Sequence, residues 1–247
     1  MTEALITSPH NPALKLIRSL ADKKHRQETG LFVAEGEKVV HRARSEGWEP
    51  DYLVSTSARP PWGKARHLVV DERVMASLGG QKNVSPVLGV FRQRWSTAIT
   101  PQGTWLALEH IRDPGNLGTI IRTADAVGAS GIILAGNCCD PWGPDSVRAT
   151  MGSIFGTPLL RMTVAGLVSL CQTWPGEVAG TRLSAALDYR KTYDAPALIV
   201  MGSEGKGLSD DLAAACSTLV RIPMRGGAES LNVAVATALM LYAAVKL

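Results

Sequence analysis

The spacing of apolar positions predicts alternating helices and strands in the first part of the chain. Leu14, Ile17 and Leu20 recur at helical spacing and predict a helix over residues 12–21. A second helix is predicted over residues 37–45. Short apolar runs bounded by polar residues predict strands over residues 31–34, 52–55, 67–70 and 87–91. This alternation is typical of a small α/β domain.

The pattern after residue 104 is stronger and predicts a mostly parallel sheet with helices on both faces. Strands are predicted over residues 105–108, 132–135, 197–201 and 219–222. One helical face is formed by Leu117, Ile120, Ile121, Ala124 and Val127. The last helix, from about residue 230 to residue 246, is expected to bury Leu231, Val235, Ala238, Leu239 and Tyr242.

A polar segment that contains Pro101 and Gly103 separates these two regions and predicts a linker. We therefore expect one domain over residues 1–95, a linker over 96–103 and a second domain over 104–247. Residues 1–98 carry 15 Lys and Arg against 10 Asp and Glu, whereas residues 99–247 carry 11 against 12. A basic module joined to a near-neutral one indicates a polyanion-binding part and a part that performs chemistry.

Composition excludes several classes of protein. No apolar run approaches the roughly 20 residues needed to span a bilayer, and the N-terminal residues lack a signal-peptide pattern. We therefore expect a soluble, cytoplasmic protein without a membrane partner. The four cysteines, Cys138, Cys139, Cys171 and Cys216, show no metal-ligand spacing, so we expect no metal and interpret them as small buried apolar residues.

The first of three polar, glycine-containing loops runs from Glu109 to Gly118. Ligands of open α/β sheets bind where strands end and loops begin. Asn116 is expected near the start of a helix, and Arg122 follows six residues later. We expect both side chains to face the same loop edge; the alternative is a surface ion pair between Arg122 and Asp125.

The other two loops precede the last predicted strand and the last helix. Residues 201–209 hold three glycines around Glu204, but they fit neither a Walker loop nor a dinucleotide fingerprint. Glycines there let the backbone approach a ligand closely, or simply turn. Residues 222–232 end in Ser230 and Asn232; helix capping would explain Ser230 but explains Asn232 poorly.

With these loops in order, the chain resembles the SpoU/TrmH family of RNA ribose 2′-O-methyltransferases, within the SPOUT superfamily. Asn116 and Arg122 match the first motif of that family, Glu204 within residues 202–208 the second, and Ser230 and Asn232 within residues 230–236 the third. Residues 6–12 and 26–37 resemble the N-terminal RNA substrate-binding domain of the family. The resemblance covers nearly the whole chain.

The resemblance implies a SPOUT catalytic domain with a C-terminal trefoil knot, which pattern reasoning alone would exclude. It also implies a homodimer formed through that domain, with the active site near the dimer interface. S-adenosylmethionine (SAM) would be the cofactor, contacted around Gly202, Ile222 and Leu231. The resemblance assigns Arg122 as the base that activates the ribose hydroxyl. Because a guanidinium is not normally deprotonated in proteins, it could instead orient the hydroxyl and a neighbouring phosphate. Asn116, Glu204, Ser230 and Asn232 would position the reacting groups.

RNA recognition is expected in residues 1–95, with Lys23, Lys24 and Arg26 as phosphate contacts at a helix end. The alternative for this basic cluster is a solvated helix C-terminus. Ribosomal RNA is the favoured substrate, because the N-terminal domain resembles the ribosomal RNA enzymes more than the transfer RNA enzymes. The alternatives are a tRNA 2′-O-methyltransferase and a catalytically inactive RNA-binding scaffold of the same fold. A dinucleotide-dependent oxidoreductase is disfavoured by the failed fingerprints.

Overall fold

The computed structural model describes residues 5–79 and 85–245. In the first part of the chain the elements are α1 (Pro12–Ser19), α2 (Lys23–Thr29), β1 (Leu31–Glu35), α3 (Glu37–Ser45), β2 (Tyr52–Ser55), β3 (Arg66–Val69), α4 (Glu72–Leu78) and β4 (Val87–Arg92). They are followed by β5 (Thr104–Glu109), α5 (Pro114–Ala126), β6 (Gly131–Ala135), α6 (Pro144–Ala149), a 3-10 turn (Ser153–Phe155), β7 (Leu159–Met162) and α7 (Val164–Thr173). The remaining elements are β8 (Val178–Thr181), β9 (Leu187–Asp188), β10 (Ala197–Met201), α8 (Asp210–Ala215), β11 (Thr218–Arg221) and α9 (Val233–Ala244).

These elements form two compact units. The first unit consists of residues 1–94 together with 140–156, and the second of residues 95–139 together with 157–247. The first break lies close to the predicted linker. Residues 140–156, which the sequence placed in the second domain, instead pack within the first unit. We call this segment the excursion, because the chain leaves the second unit after β6 and returns to it before β7.

The first unit contains a sheet of strand order β1-β4-β2-β3 within the described residues. Its α/β architecture confirms the prediction from the apolar pattern. Leu14, Ile17 and Leu20 are buried against this sheet, as their helical spacing predicted. A second core is aromatic: Phe32 and Phe91 from the sheet pack against Trp142 and Phe155 of the excursion, with ring centroids 4.7–5.9 Å apart.

The excursion is also tied to the first unit by an ion pair. The Arg26 guanidinium donates two hydrogen bonds to the Asp140 carboxylate, at 2.9 Å and 2.8 Å. It also donates to the carbonyl oxygens of Leu20 and Ala21, both at 2.8 Å. Arg26 is only 4% exposed, so this charge needs all of these partners. The excursion thus contributes both apolar and charged groups to the interior of the unit.

The second unit contains a seven-stranded sheet of order β7-β6-β5-β10-β8-β11-β9 within the described residues. Every neighbouring pair is parallel, which confirms the predicted parallel sheet. Helices α7 and α8 cover the face that presents Trp105, Ala107 and Ile133. Residues Leu106, Leu134 and Ile199 alternate with that set, so they point to the opposite face, and all are fully buried.

Helix α9 differs from its prediction in two ways. It begins at Val233 rather than at residue 230 and ends at Ala244; residue 246 lies outside the described residues. The prediction of which face of the helix is buried is also wrong. The buried residues are Val233, Ala234, Thr237, Met240 and Leu241, while Leu231, Val235 and Tyr242 are exposed and Ala238 and Leu239 are half-buried. The helix is apolar all round, so its periodicity could not decide which face packs inward.

Two thiols of the second unit behave as small apolar side chains. Burial raises the pKa of Cys171 to about 11. Burial, with a further contribution from nearby Cys171, raises the pKa of Cys216 to about 12. Both therefore stay protonated at neutral pH and lack the thiolate that reactive cysteines need. Cys138 is also buried, as predicted, whereas Cys139 is half-buried.

Candidate active site

The three polar loops meet at the carboxyl edge of the second unit's sheet, where the structure joins Asn116, Glu204 and Asn232. The Asn116 Nδ2 donates a hydrogen bond to Glu204 Oε1 at 3.2 Å. The Asn232 Nδ2 donates to Asn116 Oδ1 at 2.9 Å. Residues from three distant motifs thus form one hydrogen-bonded chain, which we call the polar chain. Asn116 lies at its centre and uses both ends of its amide.

Local structure holds the two asparagines at helix starts. Asp113 precedes α5, and its carboxylate accepts a hydrogen bond from the Asn116 backbone N–H at 2.7 Å. Asn232 caps α9, since its Oδ1 accepts from the backbone N–H groups of Ala234 at 2.9 Å and Val235 at 3.3 Å. Asn232 therefore has a capping role, and the interpretation that Ser230 supplies the cap is wrong. Ser230 is exposed, two residues before that cap.

The glycine-rich loop that carries Glu204 is closed on itself. Ser203 and Gly207 exchange two backbone hydrogen bonds of 3.2 Å and 3.0 Å, and Gly207 has a φ of 67°. A Cβ on Gly202 would lie 2.0 Å from the Gly207 carbonyl carbon, so only glycine fits there. Loop closure therefore requires glycine at position 202, and the predicted approach of its backbone to a ligand stays a prediction.

Glu109 fixes the end of this loop to the neighbouring strand β5. Its carboxylate accepts a hydrogen bond from the Ser209 backbone N–H at 2.9 Å, and the side chain is 3% exposed. Ser209 in turn caps α8. The sequence contained a signal for this role, because Glu109 is the acidic end of an otherwise apolar strand, but we did not single it out.

Beside the polar chain lies a cleft of about 490 Å³, within the range of small-molecule sites. All three predicted cofactor contacts, Gly202, Ile222 and Leu231, line it. Glu204 and Ser230 line it as well. The structure thus brings five of the sequence-predicted residues to one cleft at the carboxyl ends of β10 and β11.

The sequence missed one wall of this cleft, formed by Thr181, Arg182, Leu183 and Ser184. This segment follows β8, which pairs with both β10 and β11. Leu183 is 64% exposed and supplies an apolar surface at the cleft. Recognition of β8 as a buried strand would have identified the segment, because ligands bind beyond the carboxyl ends of adjacent parallel strands.

Arg122 lies apart from this group. It is exposed on α5, does not line the cleft, and takes no part in the hydrogen bonds of the polar chain. Six residues correspond to about one and two-thirds helical turns, which places the two side chains about 120° apart around the helix axis. That Asn116 and Arg122 face the same loop edge stays a prediction.

The predicted RNA contacts fall into two kinds. Lys23 and Lys24 are exposed in the first turn of α2, where Lys24 pairs with Glu28 at 3.9 Å. Asp22 caps this helix, so the basic cluster opens a helix instead of closing one. Arg26 is buried in its ion pair with Asp140, and the prediction that it contacts phosphate is corrected: its donors are already used inside the unit.

The described residues offer neither a metal site nor a membrane-spanning helix. No group of three or more His, Cys, Asp or Glu side chains in residues 5–79 and 85–245 could hold a metal ion. Over the same residues, none of the helices has the length and apolar character that crossing a membrane requires.

Comparison with known proteins agrees with this geometry. The sequence model of the SpoU rRNA Methylase family matches residues 103–242, and that of the MRM3-like substrate binding domain matches residues 11–89. The 23S rRNA (guanosine(2553)-2′-O)-methyltransferase of Bacillus subtilis is 29% identical, over 96% of this chain and 97% of that protein. The 23S rRNA (uridine(2479)-2′-O)-methyltransferase of Streptomyces viridochromogenes is 31% identical, over 92% and 86%.

A solved structure is similar over the same extent. The AdoMet-bound rRNA methyltransferase from Sinorhizobium meliloti superimposes with a TM-score of 0.89 and 42% identity, covering 97% of this chain and 96% of that one. The parallel sheet, the polar chain, the adjoining cleft and these matches lead to one conclusion: the chain belongs to the SpoU rRNA methylase family.

Proposed function

We propose that this protein transfers a methyl group from SAM to a ribose 2′-hydroxyl of structured RNA, with ribosomal RNA as the substrate. The observation that carries the proposal is the polar chain of Asn116, Glu204 and Asn232 beside a cleft lined by Gly202, Ile222 and Leu231. Relatives that cover nearly the whole chain are named as 23S rRNA 2′-O-methyltransferases, which supports the same reaction and substrate class.

The cleft fits SAM in its chemistry. Leu183, Ile222 and Leu231 present apolar surface that suits the faces of an adenine, and the loops around Gly202 and Ile222 present backbone groups that suit its edge. The lining carries charges of both signs: Glu204 and Glu229 suit the cationic groups of SAM, and Arg182, Lys206 and Arg221 suit its carboxylate. When bound, SAM supplies a methyl group on a positively charged sulfur, which leaves as a neutral thioether.

The protein must align the ribose oxygen with that methyl group, so that the O–C bond forms as the C–S bond breaks and the hydroxyl proton passes to solvent water. We assign alignment to Asn116, Glu204 and Asn232, which hydrogen bonds between three loops hold in a fixed geometry, and to Ser230, which lines the cleft. We assign to Arg122 the binding of the adjacent phosphate and stabilisation of the negative charge that develops on the 2′-oxygen. This role keeps the guanidinium charged throughout, as is usual for arginine in proteins.

Because Arg122 does not line the cleft of its own chain, we propose that the site is completed by a homodimer. The exposed apolar face of α9, which includes Val235 and Tyr242, offers a surface for a second copy. Helix α9 packs against α5, which carries Arg122. A second copy on α9 would therefore lie near Arg122. The trefoil knot of the catalytic domain and the cytoplasmic location belong to this proposal as well.

RNA recognition is assigned to the first unit, whose residues 11–89 match a substrate-binding domain. Lys23 and Lys24 are its proposed phosphate contacts, since both side chains are exposed. The inactive-scaffold alternative predicts loss of a motif residue, whereas Arg122, Glu204, Ser230 and Asn232 are all present.

The test is incubation with methyl-labelled SAM and, in separate reactions, unmodified ribosomal RNA and transfer RNA, followed by digestion to nucleosides. The expected result is label in one 2′-O-methylated nucleoside from ribosomal RNA. Label from transfer RNA alone would overturn the substrate assignment but keep the reaction. SAM binding without label in either RNA, including ribosomal assembly intermediates, would favour the scaffold.

A further inference from the structure

A second cavity, separate from the cleft of the catalytic unit, lies entirely within the first unit and has a volume of about 560 Å³. Its walls come from the end of α1, the β1–α3 connection, the end of α4, and helix α6 of the excursion. We propose that this cavity receives one unpaired nucleobase of the RNA substrate. The inference rests on the proposed function, because it takes RNA as the ligand of this unit.

The lining has the two chemical parts that a base site needs. The interior is apolar, and its members include Ile17, Leu20, Val33, Val39, Leu78 and Val147. The rim carries the cations Arg18, Lys38 and Arg148 and the carboxylates Glu35 and Glu37. Apolar walls suit the faces of a base, and a cation without an ion-pair partner at the rim suits a flanking phosphate.

Met151 adds an unusual feature to this cavity. Its side chain is 54% exposed, and its backbone lies in the left-handed region with a φ of 52°. A non-glycine residue in that region is uncommon and costs free energy, which the surrounding structure must offset. The result is a long, polarisable side chain at the lining of the cavity, where it can lie against the face of an aromatic ring.

The charges at the rim differ in how they are engaged. Arg148 pairs with Asp145 at 3.0 Å, and Glu37 pairs with Arg59. Lys38 is exposed and forms no ion pair among the described residues, so its charge is available to a phosphate. Sequence-specific proteins read RNA chiefly through unpaired bases, because A-form helices hide base edges in a deep, narrow groove. A cavity with an adjoining free cation is suited to that mode of recognition.

The test measures binding of the full-length protein to two RNA hairpins of equal charge: one fully paired, and one with a single unpaired 2-aminopurine. The variant Ser77→Phe places a ring in the cavity. Its matched control is Ala76→Phe, which adds the same ring at an exposed neighbour on α4 that does not line the cavity. We expect Ser77→Phe to weaken binding of the unpaired hairpin roughly tenfold, as for loss of one stacked base, and to leave the paired hairpin unchanged. Ala76→Phe should leave both unchanged.

The emission of 2-aminopurine gives a second readout, which should change on binding to the wild type and to Ala76→Phe but not to Ser77→Phe. Lys38→Ala should reduce the slope of log affinity against log salt by about one, as for loss of one phosphate contact. The exposed cation Arg73, outside the cavity, serves as its control in Arg73→Ala.

Equal loss of both hairpins in Ser77→Phe, or no loss of either, would overturn the cavity assignment. If such a variant still methylates RNA with wild-type SAM affinity, the proposed function stands while this inference fails. If the wild-type protein binds neither hairpin and methylates no RNA, the proposed function itself fails.

Discussion

The two units of this protein differ in how their functional residues are held. In the catalytic unit, three loops at one sheet edge are joined by side-chain hydrogen bonds between Asn116, Glu204 and Asn232. In the first unit, Arg26, one of the three predicted phosphate contacts, is instead buried in an ion pair with Asp140. The comparison teaches that side-chain hydrogen bonds between distant loops indicate a functional site, whereas the position of a cation on a helix does not distinguish a ligand contact from a buried ion pair.

The largest expected effect tests the catalytic side of this comparison. Arg122→Ala should abolish methylation, a fall of roughly a thousandfold or more, because no other group would stabilise the developing charge. The melting temperature should not change, since Arg122 is exposed. Single-turnover methylation and thermal unfolding measure the two effects. Arg190→Ala, an exposed arginine of the same unit outside the cleft, is the control. Near-wild-type turnover of Arg122→Ala would contradict the assignment.

The second prediction tests the structural side. Arg26→Met or Asp140→Asn alone should lower the free energy of unfolding by about 3–5 kcal/mol, because each leaves a buried polar group without its charged partner. The double variant should be less destabilised than the two single effects added together. Chemical denaturation of the wild type, the two single variants and the double variant measures the four free energies of unfolding of this double-mutant cycle. Additive effects would show that the two side chains do not depend on each other.

The third prediction concerns the polar chain. Asn116→Asp keeps the shape of the side chain but replaces the donor to Glu204 with a second carboxylate. We expect methylation to fall by about a hundredfold, as for displacement of a positioned group, with SAM affinity less affected. Asn137→Ala, another exposed asparagine of this unit, is the comparison. Retention of full activity in Asn116→Asp would mean that the chain of hydrogen bonds does not position the reacting groups.

The smallest effect belongs to the exposed lysines of α2. Replacing both Lys23 and Lys24 with alanine should weaken RNA binding several-fold and reduce the salt slope by about two, with no change in SAM affinity. Titrations at several salt concentrations would measure this. An unchanged slope would remove both lysines from the RNA surface. The double substitution should change the free energy of unfolding very little, because surface substitutions usually change it by less than about 0.5 kcal/mol.

Sequence reasoning succeeded where local pattern and chain order contain the information. Residues 197–201 and 37–45 were predicted with the observed bounds, and the parallel order of strands placed the loops of Gly202 and Ile222 at one edge. The family resemblance then supplied the site residues, and the structure brings Glu204, Ser230 and Leu231 to one cleft.

The failures have a common physical cause, which is dependence on residues distant in the chain. Arg26 forms its buried ion pair with Asp140, which lies 114 residues later in the chain, and no local pattern indicates that pairing. The buried face of α9 depends on which apolar side meets the sheet, and a helix apolar on all sides does not reveal it. The wall at Leu183 was missed because β8 was not recognised as a strand.

The excursion has a consequence for protein engineering. Because Asp140, Trp142 and Phe155 complete the interior of the first unit, a graft of residues 1–94 alone would move this unit, and the RNA recognition proposed for it, without part of its core. Such a chimera would combine the residue at position 26 of one parent with the excursion of the other, so the buried pair of Arg26 and Asp140 would come from two different proteins. A functional graft must therefore move residues 1–94 and 140–156 together, because the first unit is encoded by two separate stretches of the gene.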